Sequence, residues 1–287
     1  MTGDPQPCDD RPRWYGRRRG HRLRKGRQEL LRELLPRLRV APPESGGRLD
    51  LAAVFRRPVS DVWLEVGFGA GEHLAAQARA HADVGIIGCE AYINGVAGLL
   101  AHVREENLTN VRIFDDDARL LFDALPDAGI GRAFVLFSDP WPKKRHHRRR
   151  FVSPENLDAL ARLLKDGAEL RFASDHMEYV RWTLEHVTAH PGFSWPARTR
   201  RDWLQRSEDW FETRYEAKAL GRGARCVYLR FLRRPRGSRG RPPHTVSGGH
   251  PPVAPRGVGK AFRWAAIACA SPPAEETGKA IVGVHFS

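Results

Sequence analysis

The sequence predicts an α/β protein with a mostly parallel sheet and helices on both faces. Short apolar runs alternate with segments whose apolar residues recur at helical spacing, and that alternation builds a parallel sheet from strand–helix–strand units. A glycine-rich turn, Gly67-Phe-Gly-Ala-Gly71, joins the first strand of the series to its first helix. Acidic residues then recur where strands end, at Glu65, Glu90, Asp117, Asp139 and Asp175. Open parallel sheets bind ligands outside the carboxyl ends of their strands. Carboxylates that track those ends therefore mark one working edge, because surface carboxylates have no reason to follow strand ends.

In chain order, residues 1–45 form a flexible basic arm with a short helix. The first dozen residues read as a tail, and from Arg13 to Arg39 cations dominate, interrupted by glycines. The helix is expected over about 28–38, where Leu30, Leu31, Leu34, Leu35 and Leu38 make one stripe. Residues 41–47 are a linker by composition. The folded domain spans 46–233, with strands expected over 62–66, 84–89, 111–114, 133–137, 169–173 and 226–231. Helices are expected over about 72–79, 93–104, 154–166 and 176–187. The third starts with Ser153 as N-cap and Pro154 at its first position, and stops at Gly167. Residues 191–212 are Trp-rich and read as irregular; locally, Thr213 to Glu216 reads as a turn into the last strand. Residues 234–287 turn to Pro, Gly, Ser and Arg and read as a low-complexity, disordered tail. A short helix over 262–269 is the one element suggested there.

Composition narrows the partners. The chain of 287 residues is 41% hydrophobic, enough for a real core, and carries a formal net charge of +14. Its sequence pI near 10.3 favours an anionic partner. No apolar run reaches the ~18 residues of a membrane helix. Cys8, Cys89, Cys226 and Cys269 are scattered without metal or disulfide spacing, which fits a reducing cytoplasm. His146 and His147 do not make a metal pair, since adjacent side chains point apart and no third ligand is evident; no metal is expected.

The most informative stretch is Phe137-Ser-Asp-Pro-Trp-Pro-Lys-Lys-Arg-His-His-Arg-Arg-Arg-Phe151. It puts Asp139 at a strand's carboxyl edge, and two prolines stiffen the turn around Trp141. Lys143, Lys144, Arg145, Arg148, Arg149 and Arg150 follow with the two histidines. A charge run alone is usually solvated surface; one set beside a rigid carboxylate at a strand end points to chemistry on a polyanion.

At the glycine turn, a dinucleotide fingerprint would read GxGxxG. Here the third glycine comes one residue early and Glu72 holds its place, so a pyrophosphate would meet a carboxylate. Glu65 just before the turn suits a cationic ligand without phosphate, and S-adenosylmethionine is such a ligand. Glu90 is placed for a ribose diol. Asp117 is placed near the adenine or, alternatively, as a helix cap.

Glu65-Val-Gly-Phe-Gly-Ala-Gly71, Gly88-Cys-Glu90, Asp116-Asp-Ala118, the stretch Ser138 to Arg150, Ser174-Asp175 and Thr213-Arg-Tyr-Glu216 occur in one order. Together, over about 15–232, they resemble the bacterial tRNA (guanine-N7)-methyltransferases. The resemblance implies a Rossmann-like methyltransferase fold and S-adenosylmethionine as cofactor. It also implies methyl transfer to N7 of guanosine 46 in the variable loop of tRNA, by a cytoplasmic monomer or homodimer. It implies cofactor contacts at Glu65, Gly67, Gly69, Glu90, Asp117 and Asp139, with Asp139 catalytic. Lys143, Asp175, Thr213, Arg214, Tyr215 and Glu216 would bind substrate; Arg145, His146, His147, Arg148, Arg149 and Arg150 would contact RNA. Ser138 stands where the family usually has proline. The competing classes are a nicotinamide oxidoreductase, a non-catalytic RNA-binding module on the same fold, and a methyltransferase of another nucleic acid.

Overall fold

Alternating side chains on each strand commit this sheet to two covered faces. In the computed structural model, which describes residues 15–44 and 46–237, the elements follow in order. An N-terminal helical pair, α1 (Lys25–Glu33) and α2 (Leu35–Leu38), precedes α3 (Leu51–Phe55). The alternating series is β1 (Asp61–Val66), α4 (Glu72–Ala80), β2 (Val84–Cys89), α5 (Ile93–Glu105), β3 (Val111–Phe114), α6 (Arg119–Phe122) and β4 (Ile130–Leu136). A 3-10 segment (Lys144–Arg149) leads to α7 (Pro154–Leu163), β5 (Leu164–Ser174), α8 (Met177–Ala189), β6 (Phe193–Ser194), α9 (Arg201–Leu204), α10 (Arg214–Leu220) and β7 (Val227–Arg233).

The sheet order is β3-β2-β1-β4-β5-β7-β6. Strands β1 to β5 pair in parallel, and β7 runs antiparallel to β5 and β6. This is the mostly parallel sheet that the sequence predicted. Strand order reverses between β1 and β4, the kind of switch point at which such sheets form a ligand crevice. On one face, Trp63, Ile86, Ile113 and Phe134 join Leu30, Leu74, Leu99 and Leu100 from α1, α4 and α5 in one buried cluster. On the other, Val135, Leu170 and Phe172 meet Leu157, Leu160 and Val187 from α7 and α8.

Local differences from the sequence reading have local causes. The single helix expected over 28–38 breaks at Leu34, because Pro36 opens a separate turn. Helix α7 ends at Leu163 and not at Gly167. That glycine has φ +81° inside β5, where pairing with β4 shifts register between Ile130 and Arg132; it relieves an irregular strand instead of capping a helix. Residues 191–212 contain β6 and α9, and Thr213 opens the helix α10. Asp50 caps α3 by accepting from the Ala52 N–H at 2.9 Å, an element the sequence reading omitted. The first dozen residues, the tail from 238 onward and the suggested 262–269 helix lie outside the described residues. The described part of the basic arm lies along the start of α5. Ile93 N–H donates to Arg18 C=O at 3.0 Å, Gly20 N–H to Asn94 Oδ1 at 2.9 Å, and Arg18 pairs with Asp116 at 2.6 Å.

Candidate active site

The parallel strands deliver their acidic residues to one edge, and there they separate by role. A cleft of about 480 Å³ opens at that edge, within the usual range for small-molecule sites. Glu90, Asp117 and Asp139 line it together with Gly67 and Gly69. The three turn glycines have φ of +70°, +60° and +87° at Gly67, Gly69 and Gly71, a region that other residues enter only under strain. Tyr215 lies over Gly69, where an added Cβ would come within 3.0 Å of its ring.

Glu90 is held by the backbone around it. Its Oε2 accepts from Gly69 N–H at 2.9 Å and its Oε1 from Tyr92 N–H at 2.8 Å. Each oxygen keeps a lone pair for a ligand hydroxyl. Burial pushes its pKa above the ordinary carboxylate value, against the pull of those bonds, and Asp139 across the cleft adds to the rise. Asp139 is solvent-accessible, yet desolvation by the cleft walls raises its pKa as well. Asp117 is buried and engaged by Arg119, whose Nε lies 3.0 Å from Oδ1 and whose backbone N–H donates to Oδ1 at 3.1 Å. Both readings of Asp117 therefore have support: it lines the cleft and it starts the α6 turn.

Glu65 takes a different position. Its carboxylate, near the end of β1, is 3% exposed and pairs with His73 Nδ1 on α4 at 2.8 Å. The other imidazole nitrogen lies 3.3 Å from Gln77 Nε2, which donates to Asp209 C=O at 3.0 Å. Glu65 thus ties the end of β1 to α4 and is not among the cleft-lining residues.

The substrate candidates also divide. Thr213 and Glu216 form a capping box at the start of α10. Glu216 is fully buried and accepts from Arg206 Nε at 2.6 Å, from Trp210 Nε1 at 2.8 Å and from the Tyr228 hydroxyl. Arg214 is exposed and lies 3.6 Å from Glu72, and Asp175 pairs with Arg222 at 3.1 Å. Of this group only Tyr215, half exposed, lines the cleft. Lys143 is exposed at the rim, followed by exposed Lys144, Arg145 and Arg148.

Within the basic segment, Arg149 and Arg150 turn inward. The Arg149 guanidinium lies 4.6 Å from the Tyr15 ring and 5.0 Å from that of Trp141. Its Nε is buried without a hydrogen-bond partner among the described residues, so it suits an anionic group in the cleft. The Arg150 side chain has no exposed surface and does not reach an RNA molecule from this position. Desolvation, then Arg149 and Arg145 beside it, lowers the His146 pKa. His147 lies 3.1 Å from Glu178. Among the described residues, no group of His, Cys, Asp and Glu is arranged to hold a metal.

Sequence reasoning missed Tyr15, Arg17, Tyr92 and Arg119, which also line the cleft. Asp117, two residues before Arg119 and paired with it, was a signal for the last of these; nothing local announces that Tyr15 returns to the sheet edge.

The comparisons agree with this geometry. Residues 60–228 match a family model described as "Putative methyltransferase". The tRNA (guanine-N(7)-)-methyltransferase of Rhodospirillum rubrum is 54% identical over 233 residues, covering 80% of this chain and 91% of that protein. The enzyme of the same name from Paramagnetospirillum magneticum is 51% identical, covering 79% and 95%. That from Brucella anthropi is 45% identical, covering 82% and 100%. The chain belongs to the tRNA (guanine-N7)-methyltransferase family. Its fold is the Rossmann-like methyltransferase fold that the resemblance implied, and its cofactor is S-adenosylmethionine. The cleft fits that donor: its volume, the open backbone at Gly67 and the spare lone pairs of Glu90 suit a nucleoside carrying positive charge. A dinucleotide fits less well, because Glu72 occupies the first turn of α4, where a pyrophosphate would sit.

Proposed function

We propose that this chain transfers the methyl group of S-adenosylmethionine to N7 of guanosine 46 in the variable loop of tRNA, a reaction of the cytoplasm. The observation that carries the reading is one cleft with two halves. The glycine turn and Glu90 form the donor half, and Asp139 at the end of β4 faces the same space beside the exposed basic rim.

Guanine N7 carries an in-plane lone pair, so no proton need leave before the methyl group arrives. The protein's task is alignment of donor and acceptor, and orientation alone can supply roughly 7–11 kcal/mol in well-aligned systems. Asp139, when ionised, accepts from the guanine N1–H and N2–H₂ edge and fixes the ring. Its negative charge also offsets the positive charge that grows on the base. Trp141 borders the base position, though Arg149 already lies over its ring. Lys143, Lys144, Arg145 and Arg148 hold phosphates, which positions the RNA without reading its sequence. Tyr215, above the glycine turn, stands between the donor half and the incoming base.

The test is transfer of labelled methyl from S-adenosylmethionine to unmodified tRNA, followed by chain cleavage at 7-methylguanosine. A single cut in the variable loop at position 46 is the expected result. Label on another base or another RNA overturns the site or the substrate, and absence of label with wild-type protein overturns the activity.

A further inference from the structure

We propose that Arg150 is a positioning residue, a buried strut that fixes the turn carrying Asp139. The proposal rests on the function argued above. The turn needs such a support. Phe137 and Trp141, on either side of Asp139, both have left-handed backbone, with φ of 49° and 43°. Neither is glycine, and such conformations persist only when surrounding structure over-determines them.

Arg150 supplies part of that determination. Its Nε–H donates to Pro140 C=O at 2.8 Å, and an Nη2–H points to Glu178 Oε1 at 3.3 Å. The planar guanidinium packs against the rings of Tyr179 and Trp182, at 5.3 Å and 5.0 Å. Glu178, Tyr179 and Trp182 belong to α8, so the strut ties the carbonyl of Pro140, the residue after Asp139, to a helix packed on β5. The opposite flank is tied to the same helix. The Tyr179 hydroxyl accepts from Val152 N–H at 3.4 Å and lies 3.3 Å from Ser138 Oγ. The residues before and after Asp139 are thus both referred to α8. A solvated phosphate contact needs an exposed cation, and Arg150 is enclosed. It does the work of a fork with a flat face, which lysine cannot reproduce.

The experiment compares Arg150→Lys and Arg150→Gln with the wild-type full-length chain in steady-state methyl transfer to tRNA. It also measures tRNA affinity across a salt series. The expected result is a fall in kcat of roughly 10- to 100-fold in both variants, the scale on which small misplacements of reacting groups act. KM for tRNA and the salt slope of binding stay unchanged. A wild-type rate in Arg150→Lys overturns the proposal. So does a slope reduced by about one phosphate contact with kcat retained, which would make Arg150 an RNA contact. Trypsin supplies a second measurement that needs no activity: cleavage after Lys143, Lys144 and Arg145 should quicken several-fold in folded Arg150→Lys. Unchanged cleavage overturns the strut. A wild-type chain that transfers no methyl at all is the separate failure of the functional reading, and the trypsin comparison then still decides the strut. If Arg150→Lys does not fold, Glu178→Gln, which alters one leg from the exposed side, is expected to give the same loss of kcat at smaller size. A wild-type kcat there overturns the proposal.

Discussion

At the scale of single residues, the decisive feature is a pair of carboxylates whose ionisation the cleft resists. Asp139→Ala is expected to abolish methyl transfer while tRNA binding stays within a few-fold of wild type, measured by filter binding beside the label assay. Near-normal turnover in that variant removes Asp139 from the mechanism. Glu90 makes a sharper statement about pH. Its folded pKa is raised, chiefly by desolvation, so the carboxylate takes up its proton at a higher pH than an exposed glutamate does. Ribose hydroxyls need the ionised acceptor, so donor affinity is expected to fall as pH drops through this raised value, while exposed glutamates are still charged. In Glu90→Gln, affinity stays near the level of the protonated wild type and that acid limb disappears, as calorimetric titration with S-adenosylmethionine from acid to neutral pH would reveal. The same raised pKa costs stability above it, because the buried charge must form there, and the cost vanishes below the ordinary glutamate pKa.

At the scale of elements, α10 shows how one motif serves structure first. The capping box and the bonds from Arg206, Trp210 and Tyr228 make Glu216 the fastening between α10 and β7. Glu216→Ala leaves Trp210 and Tyr228 unpaired and is expected to lower stability by about 2–3 kcal/mol; Thr213→Ala loses a cap worth about 1 kcal/mol. Urea denaturation measures both, and loss of tRNA affinity at full stability would instead return these residues to the substrate site. The comparison also marks what the sequence could and could not reveal. The strand ends were legible because apolar runs and the glycine turn are local signals, and β3 was placed at 111–114, where it is. The Thr-x-x-Glu spacing was equally visible, but the family likeness drew it toward substrate binding. Two features had no local signal. Glu65 meets a histidine across the turn, and Arg150 is buried at the end of a run whose average reads as exposed. A charge run reports net composition, whereas burial is set by α8, which folds against it from later in the chain.

At the scale of the whole molecule, charge is mixed inside the cleft, where Arg17, Arg119, Arg149 and Arg150 stand beside Glu90, Asp116, Asp117 and Asp139, and cationic at the exposed rim. The surplus of +14 gives long-range attraction for any polyanion, and the exposed part of the Lys144–Arg149 segment places some of it at the cleft mouth. Neutralising Lys144, Arg145 and Arg148 together is expected to weaken tRNA binding and to flatten the slope of log affinity against log salt by about two to three, at roughly 0.7–0.9 per lost phosphate contact. Donor affinity and thermal midpoint should remain near wild type. An unchanged slope would assign the segment to solvent.

The docked arm carries a consequence for how such titrations are read. Tyr15, Gly16 and Arg17 form part of the cleft wall, and the chain just beyond them is fastened by Arg18 to Asp116, a pair that is partly open to water. Ions screen such a pair, and its worth is at most about 1 kcal/mol. The arm that walls this part of the cavity is therefore held by one electrolyte-sensitive pair beside the hydrogen bonds with Ile93 and Asn94, and donor affinity is expected to show a mild ionic-strength dependence of its own with no nucleic acid present. A salt series run at subsaturating donor would fold that dependence into the apparent number of phosphate contacts, so the two exponents separate only when the donor is held in excess.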